Sequence, residues 1–449
     1  MTVVAVPEQL WPLMSHLDPG NRESAGIARA NVVSRPSGIR LLVSSLSPAT
    51  ADDYVSRGPA EAVLTPAFVA REVAKARRDQ QAVIFYHTHP FSERAKFSAQ
   101  DDRGETELYE FLTRRLPGLP HVAIVIGKRD HSARLLGTSS DCPFDVIGRD
   151  IRRFTSSSDG RNPPADRDDR QQAYDRQIRL FGKAAQNRLA QLNVGIVGLG
   201  GTGSFIAQEL AHLGVENFVL MDSDTMDVSN LNRTIGAEPS DVTGSLKINV
   251  AARLIRRIRP GAKVVTLYES VLEQKSAMEL TAVDVILACT DTHGSRYVLN
   301  QLAYQFLIPV IDVGVAIATS QGLLSHVFGR TQMLAPSLPC LTCLKTLDPE
   351  HIRRDMMSDF ERRADPYVIG DVEPQPAVVS LNGTTASLAV TMLLAAFTGL
   401  PLGARYQLYD AIHGFVRPLV GQVTPNCVTC SFEGALARGD SWPVPGRTE

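Results

Sequence analysis

Two periodicities divide the chain. Between residues 66 and 126, helical spacing over Pro66–Arg78 and Gly104–Leu116 alternates with apolar runs at Ala82–Tyr86 and His121–Ile126, which predicts helix, strand, helix and strand. From residue 193 the alternation is more regular. Apolar runs at Asn193–Val197, Asn217–Met221, Lys263–Leu267 and Val283–Ala288 predict strands, with helices over Gly203–Leu213 and Gly244–Ile258. Strands that alternate with helices argue for a parallel sheet covered by helices. Separating the two stretches is Ser156–Arg170, where turn formers, two prolines and dense charge without apolar periodicity predict a linker. Beyond the second stretch come short strands, a charged, proline-rich segment from Leu347 to Pro376 and an apolar helix over Thr384–Phe397. The expectation is an α/β domain over 1–155, a linker over 156–170 and a second α/β domain over 171–449.

Composition narrows this picture without changing it. Lys and Arg number 46 against 48 Asp and Glu, a net charge of −2, and 44% of residues are apolar. Such a balance excludes a basic nucleic-acid-binding chain and a wholly disordered one. The most apolar stretch, Ala386–Phe397, contains Ser387 and Thr391 and is too short to cross a bilayer, so no membrane partner is expected. Met1–Leu10 lacks the pattern of a signal peptide, which predicts a cytoplasmic location. Four of the six cysteines form Cys340-x-x-Cys343 and Cys427-x-x-Cys430, leaving Cys142 and Cys289 single. In a reducing compartment such pairs bind zinc more often than they form disulfides, and two of them make a closed four-thiolate site.

The strand that ends at Tyr86 runs into His87-Thr88-His89-Pro90. Side chains two apart on an extended segment point the same way, so both imidazoles can reach one metal ion. Downstream, Ser98-Ala99-Gln100-Asp101 offers a carboxylate as third ligand, which leaves a fourth position open as in catalytic zinc sites. The same residues also spell a helix start, with Ser98 as N-cap and the acid in the first turn. On these residues the N-terminal domain resembles the JAMM (MPN/JAB) metalloproteases, which cleave peptide or isopeptide bonds at the tails of ubiquitin and ubiquitin-like proteins. Their signature is an upstream glutamate, then H-x-H-P, then S-x-x-D. The resemblance implies that His87, His89 and Asp101 bind a catalytic zinc, that Glu23 is the base and that Ser98 supports the oxyanion. Eleven residues separate His89 from Asp101 where the family has ten, and Glu61 competes with Glu23 for the base.

A second constellation begins at Gly198-Leu199-Gly200-Gly201-Thr202-Gly203, between an apolar strand and a helix. Glycines there allow a tight turn and let phosphate approach backbone amides at a helix N-terminus. The next strand ends at Asp222, placed for a ribose hydroxyl, and this much fits NAD as well as ATP. The run Asp222-Ser223-Asp224, then Ser229-Asn230-Leu231-Asn232-Arg233, Lys247 and Thr290-Asp291 resembles the ThiF/MoeB family, the ubiquitin-activating type of adenylyltransferase. Tyr174-Asp175-Arg176-Gln177 matches that family's opening motif, so the likeness runs from about Gln171 to the end.

This likeness implies a Rossmann-like, doubly wound domain with a structural zinc at Cys340, Cys343, Cys427 and Cys430. It further implies ATP and magnesium as cofactors, with Gly198, Gly200, Gly201 and Gly203 forming the phosphate turn and Asp222 and Asp224 on the ribose side. Asn230, Arg233 and Lys247 are implied at the phosphates, Asp291 at the magnesium and Arg176 in the partner's site of a homodimer. The implied partner is a ubiquitin-like or sulfur-carrier protein with a C-terminal glycine, followed by a downstream conjugating protein. Activating enzymes that form a thioester carry a cysteine in the crossover segment, but Leu347–Pro376 has none. Two alternatives therefore stand beside modifier activation coupled to tail cleavage. One is activation of a sulfur carrier for thiocarboxylate formation; the other is an activating enzyme whose JAMM-like domain only recognises the modifier.

Overall fold

The computed structural model describes residues 1–93, 95–138, 140–155, 172–320, 323–358, 361 and 376–448. The predicted linker over 156–170 lies outside the described residues, as do 359–360 and 362–375 of the charged segment. The chain forms two compact units: Met1–Pro163 with Gln305–Leu307 and Ala435–Pro443 make the first, and the remainder makes the second.

In the first unit, strands β1 (Thr2–Pro7), β2 (Ala25–Arg35), β3 (Gly38–Pro48), β6 (Ala82–Thr88), β7 (Val122–Ile126), β8 (His131–Leu135), β9 (Phe144–Ile147) and β10 (Arg152–Phe154) form one mixed sheet. Its order is β10-β9-β1-β3-β2-β6-β7-β8, and a small hairpin of β4 (Tyr54–Arg57) and β5 (Ala62–Leu64) stands apart. Along β6 the side chains alternate between two cores. Ala82, Ile84 and Tyr86 join Val4, Leu41, Val122 and Phe144, while Val83 and Phe85 join Phe68, Leu112 and Leu116. Those last three belong to helices α1 (Pro66–Arg78) and α2 (Ala99–Arg115) and the turn after it, so odd-numbered positions of β6 face the helices. Burying each large apolar side chain contributes about 1.5–3 kcal/mol. Helix α1 starts where predicted, with Thr65 accepting from the Phe68 amide and Pro66 at its first position.

Strands β2 and β3 are not evident in the sequence pattern. Each pairs on both sides, and a bulge at Arg29/Ala30 shifts their mutual register, which removes the period-two signal. The C-terminal segment belongs to the same unit, since Asn31 Nδ2 donates to Ala437 O at 2.8 Å and Arg35 pairs with Asp440 at 2.6 Å.

In the second unit, β11 (Asn193–Val197), β12 (Asn217–Met221), β13 (Lys263–Leu267), β14 (Val285–Ala288) and β15 (Val310–Ser320) are parallel, in the order β13-β12-β11-β14-β15. Antiparallel β16 (Leu323–Leu334), β17 (Tyr406–Asp410) and β18 (Phe415–Pro418) extend one edge, so the Rossmann-like expectation holds for five strands and gains three. Strands leave β11 in both directions, and ligands bind at the carboxyl ends beside such a reversal. Helix α3 is Asp175–Gln191 and α4 is Gly201–His212. Helix α5 starts at Lys247 rather than Gly244, because Gly244 takes φ +114° and ends the preceding turn. Further helices are a short one over Gln274–Glu279, α6 (His293–Gln305), α7 (Pro349–Met356) and α8 (Val379–Thr398).

Helix α8 corrects the sequence reading. It spans 20 residues, Val379–Thr398, rather than Thr384–Phe397, and by length and composition alone could cross a membrane. Half of its apolar window is buried within the unit, where the helix packs on α4, β15 and β16. Packing overrides the weak helix propensity of Val379 and Gly383, so the helix begins five residues before the predicted Thr384.

Candidate functional site

At the carboxyl ends of the parallel strands of the second unit lies a cavity of about 600 Å³. Gly198, just after β11, has φ +87°, and a Cβ there would sit 2.6 Å from Cys289 O. A Cβ at Gly203 would meet Gly198 O at 1.9 Å, so the turn into α4 closes only with glycine at both places. Gly198, Gly200 and Gly201 line the cavity with Asp222, Asp224, Arg233, Lys247 and Asp291. Asp222 accepts from the Leu199 amide at 2.6 Å and the Asp224 amide at 2.8 Å, which ties the end of β12 to the glycine turn. Burial pushes its carboxyl up from the ordinary aspartate value.

The cations of this cavity are held by neighbours. Lys247 Nζ lies 2.7 Å from Asp224 Oδ2, and Arg233 donates to Ser229 O and, at 3.2 Å, to Asn232 Oδ1. Asp291 is exposed at the rim. Gly203, Asn230 and Arg176 lie outside the lining. Asn230 is buried and its carboxamide oxygen accepts from the Asp227 amide at 3.1 Å, closing a turn, while Arg176 is exposed near the start of α3.

The sequence reading missed Arg296, which lines the cavity from the first turn of α6. Its Nε donates to Thr290 O at 3.2 Å and lies 3.4 Å from Asp312 Oδ1. Asp312 is 1% exposed and is also paired with Arg330, since a carboxylate that deep needs cations around it. The available signal was Asp291-x-x-x-x-Arg296, which places an arginine one helical turn inside a helix that starts at the cavity.

Elsewhere in this unit the four paired cysteines converge. Cys340 Sγ lies 3.5 Å from Cys343 Sγ and 3.6 Å from Cys427 Sγ, and Cys343 lies 3.4 Å from Cys430. Tetrahedral zinc with bonds of about 2.3 Å has sulfur–sulfur edges of about 3.8 Å, so the cluster fits that ion with little movement. Hydrogen bonding from Cys430 and the other thiols pushes the Cys340 thiol down to about 5.

The first unit holds a different cluster. His87 sits on β6 in the odd-numbered register, so its ring is on the helix face, and His89 follows two residues on. Their Nε2 atoms are 3.0 Å apart. His87 Nε2 is 3.2 Å from Asp101 Oδ1, and His89 Nε2 is 3.5 Å from Glu23 Oε1. Pairing of Ala25 with His87 across β2 and β6 brings Glu23 there, and Arg57 Nε fixes its carbonyl at 2.7 Å. Asp101 serves both of the readings its sequence context allowed: Oδ1 faces His87, while Oδ2 accepts from the Ser98 amide at 2.6 Å and the Ser98 hydroxyl at 2.8 Å. Ser98 Oγ is thus engaged in the cap of α2. Asp102, one residue on, pairs with Arg134 at 2.7 Å instead.

Burial holds the imidazole of His87 down to about 4, so it stays neutral at physiological pH and its lone pair is open to a metal. Burial, with the nearby charges of Asp101 and Glu61, pushes Glu23 up to about 7. Glu61 is exposed on the rim of the same cavity, of about 560 Å³, so Glu23 is the carboxylate that approaches the histidines. The donor set of two neutral imidazoles and one carboxylate within 4.8 Å of one another matches a catalytic zinc site.

Comparison with known proteins covers the second unit. The ThiF family matches residues 174–429. The SAMP-activating enzyme E1 of Haloferax volcanii is 27% identical over 266 residues, 58% of this chain and 89% of that enzyme. The sulfur carrier protein adenylyltransferase of Thermus thermophilus is 30% identical over 58% of this chain and 90% of its own length. An adenylyltransferase and sulfurtransferase of Zea mays, MOCS3-1, is 28% identical over 60% of this chain, which spans about half (53%) of that longer protein. Among solved structures, Escherichia coli MccB with ATP matches at a TM-score of 0.46 and 17% identity, over 58% of this chain and 74% of MccB. The chain belongs to the ThiF family.

Proposed function

We propose that this member of the ThiF family adenylates the C-terminal glycine carboxylate of a ubiquitin-like or sulfur-carrier protein, and that its first unit hydrolyses a peptide or isopeptide bond at such a tail. The observation that carries the first activity is the cavity after β11, where a glycine turn, the carboxylates of Asp222, Asp224 and Asp291, and three cations converge. In the reaction a carboxylate oxygen bonds to the α-phosphorus of ATP, the bond to the bridging oxygen breaks, and pyrophosphate leaves. An anion must approach an anion, so fixed cations lower the barrier. Lys247, Arg233 and Arg296 supply them, with Lys247 released from Asp224 as phosphate arrives. Asp222 holds the ribose. Asp291 is placed to hold magnesium, which would neutralise charge on the phosphates. Arg176 is assigned to the site of a second copy in a homodimer, because it is exposed and away from its own cavity.

In the first unit, His87, His89 and Asp101 would hold zinc, which acidifies water and polarises a carbonyl. Glu23, with a carboxyl near neutrality, takes a proton from water and returns it to the leaving amine. The apolar wall of Leu64, Val69, Phe85 and Phe111 gives an extended tail a dry bed. The four cysteines would hold a structural zinc.

Two observations favour a sulfur-carrier partner as a second reading. Residues 347–376 contain no cysteine, and burial pushes the Cys289 thiol far above its ordinary value, so the adenylate passes to an acceptor outside the chain. A thiocarboxylate on the partner, seen by intact mass, would select this reading over conjugation through a downstream protein. With its thiols intact, the chain belongs in the cytoplasm. The main test is exchange of pyrophosphate into ATP. It should require a small protein ending in glycine, and no exchange with any such protein would overturn the proposal.

A further inference from the structure

One side chain at the nucleotide cavity has no task in the account above. Asn382 lies in the first turn of α8, is 4% exposed and lines the cavity. Among the described residues its carboxamide has no hydrogen-bond partner. Its amide atoms stay open to the cavity, where a ligand can meet them.

Its surroundings say which. A Cβ placed on Gly201 would lie 2.1 Å from Asn382 Nδ2 and 3.3 Å from Arg233 Cδ, so carboxamide, glycine turn and arginine enclose one spot. Among the helices that begin at this cavity are α4 and α8. Helix α4 opens at Gly201, and α8 is led in by Pro376 and Ala377, which also line it. The first turn of α8 carries no acidic residue and, among the described residues, no capping side chain, so its leading amides are open to another acceptor. Both helix dipoles present positive ends, and a carboxamide N–H between them suits an anionic oxygen.

We propose that Asn382 and the leading amides of α8 form a second phosphate-binding element opposite the glycine turn, donating to the α-phosphate of the bound nucleotide. The inference rests on the adenylation reading. It adds a direct ligand contact from a helix that otherwise serves as packing, and it predicts that the contact persists in the AMP moiety after pyrophosphate has left.

Binding of ATP, AMP and adenosine to the full chain, measured by titration calorimetry with adenosine as a competitor, tests it. Asn382→Leu keeps the volume and removes the donor, whereas Asn382→Asp places a negative charge at the spot. A hydrogen bond to a charged group is worth about 1.5–3 kcal/mol. ATP and AMP should therefore bind about tenfold or more weakly to Asn382→Leu and weaker still to Asn382→Asp, with adenosine affinity unchanged. Unchanged adenosine binding also shows that the cavity is folded, and Asn382→Ser serves if the leucine is not accommodated. Equal losses for adenosine and AMP, or ATP affinities within about twofold of wild type in both variants, would overturn this inference alone. Wild-type protein that binds no ATP would overturn the adenylation reading, and this inference with it.

Discussion

The histidine cluster of the first unit and the nucleotide cavity of the second are built in opposite ways. In the first, the groups that would do chemistry already touch: His87, His89, Asp101 and Glu23 lie within 3.0–3.5 Å of a neighbour in the set. In the second, the cations are engaged elsewhere, Lys247 with Asp224 and Arg233 with Ser229 O. A resident ion needs a fixed cage, and strand pairing plus one helix cap can supply it. A substrate that arrives and leaves with several negative charges is better met by cations whose resting partners can be exchanged, as the exposed Asp224 can for Lys247, whereas Arg296 is held by the buried Asp312.

The strongest way to break the comparison is Lys247→Ala. Pyrophosphate exchange should fall about 10²–10³-fold, in line with the loss of a group that meets developing charge, while zinc per chain stays the same. A parallel loss of zinc would show that the two sites are not separate. Next, elemental analysis of the His87→Ala, His89→Ala double variant should show zinc falling from two ions per chain to one. Exchange should stay within about twofold of wild type, as expected for sites without shared partners.

A finer contrast compares two helix caps. Ser98→Ala should cost about 1 kcal/mol in urea unfolding and also speed zinc loss to a chelator, because Ser98 orients Asp101. Thr65→Ala at the start of α1 should cost about the same and leave zinc release unchanged. The smallest effect belongs to Asp224→Asn. Its exposed pair should change stability by less than about 1 kcal/mol, while stopped-flow ATP association becomes faster as Lys247 is freed.

What the chain disclosed in advance follows the same division. Strands Asn193–Val197 and Asn217–Met221 lie where their apolar runs predict, because buried parallel strands flanked by helices leave an uninterrupted signal; the edge strand Lys263–Leu267 also lies where predicted, though it is largely exposed. Strands β2 and β3 were hidden by a bulge and by pairing on both sides. For the sites, residues that sit in short local motifs were legible: the two histidines two apart, the glycine turn and the paired cysteines. Asn382 was not, since what places it in the cavity is the packing of α8 against α4, β15 and β16, and Arg296 had only its spacing from Asp291 as a signal. Asn230 was legible as part of a motif, yet its side chain closes a turn. Local spelling reports that a residue is near a site without saying which way its side chain faces.

The make-up of the first unit has a consequence for how the protein is born. Asn31 and Arg35 on β2 have their partners at Ala437 and Asp440, more than 400 positions downstream. Domains emerging from the ribosome generally fold in order, N-terminal first. Here the sheet that carries the histidines precedes by about 400 residues the segment that satisfies the buried Asn31 amide. The second unit's chain is made in between. The first unit therefore waits for residues 435–443, and a nascent chain stalled before residue 435 would hold that sheet unfinished.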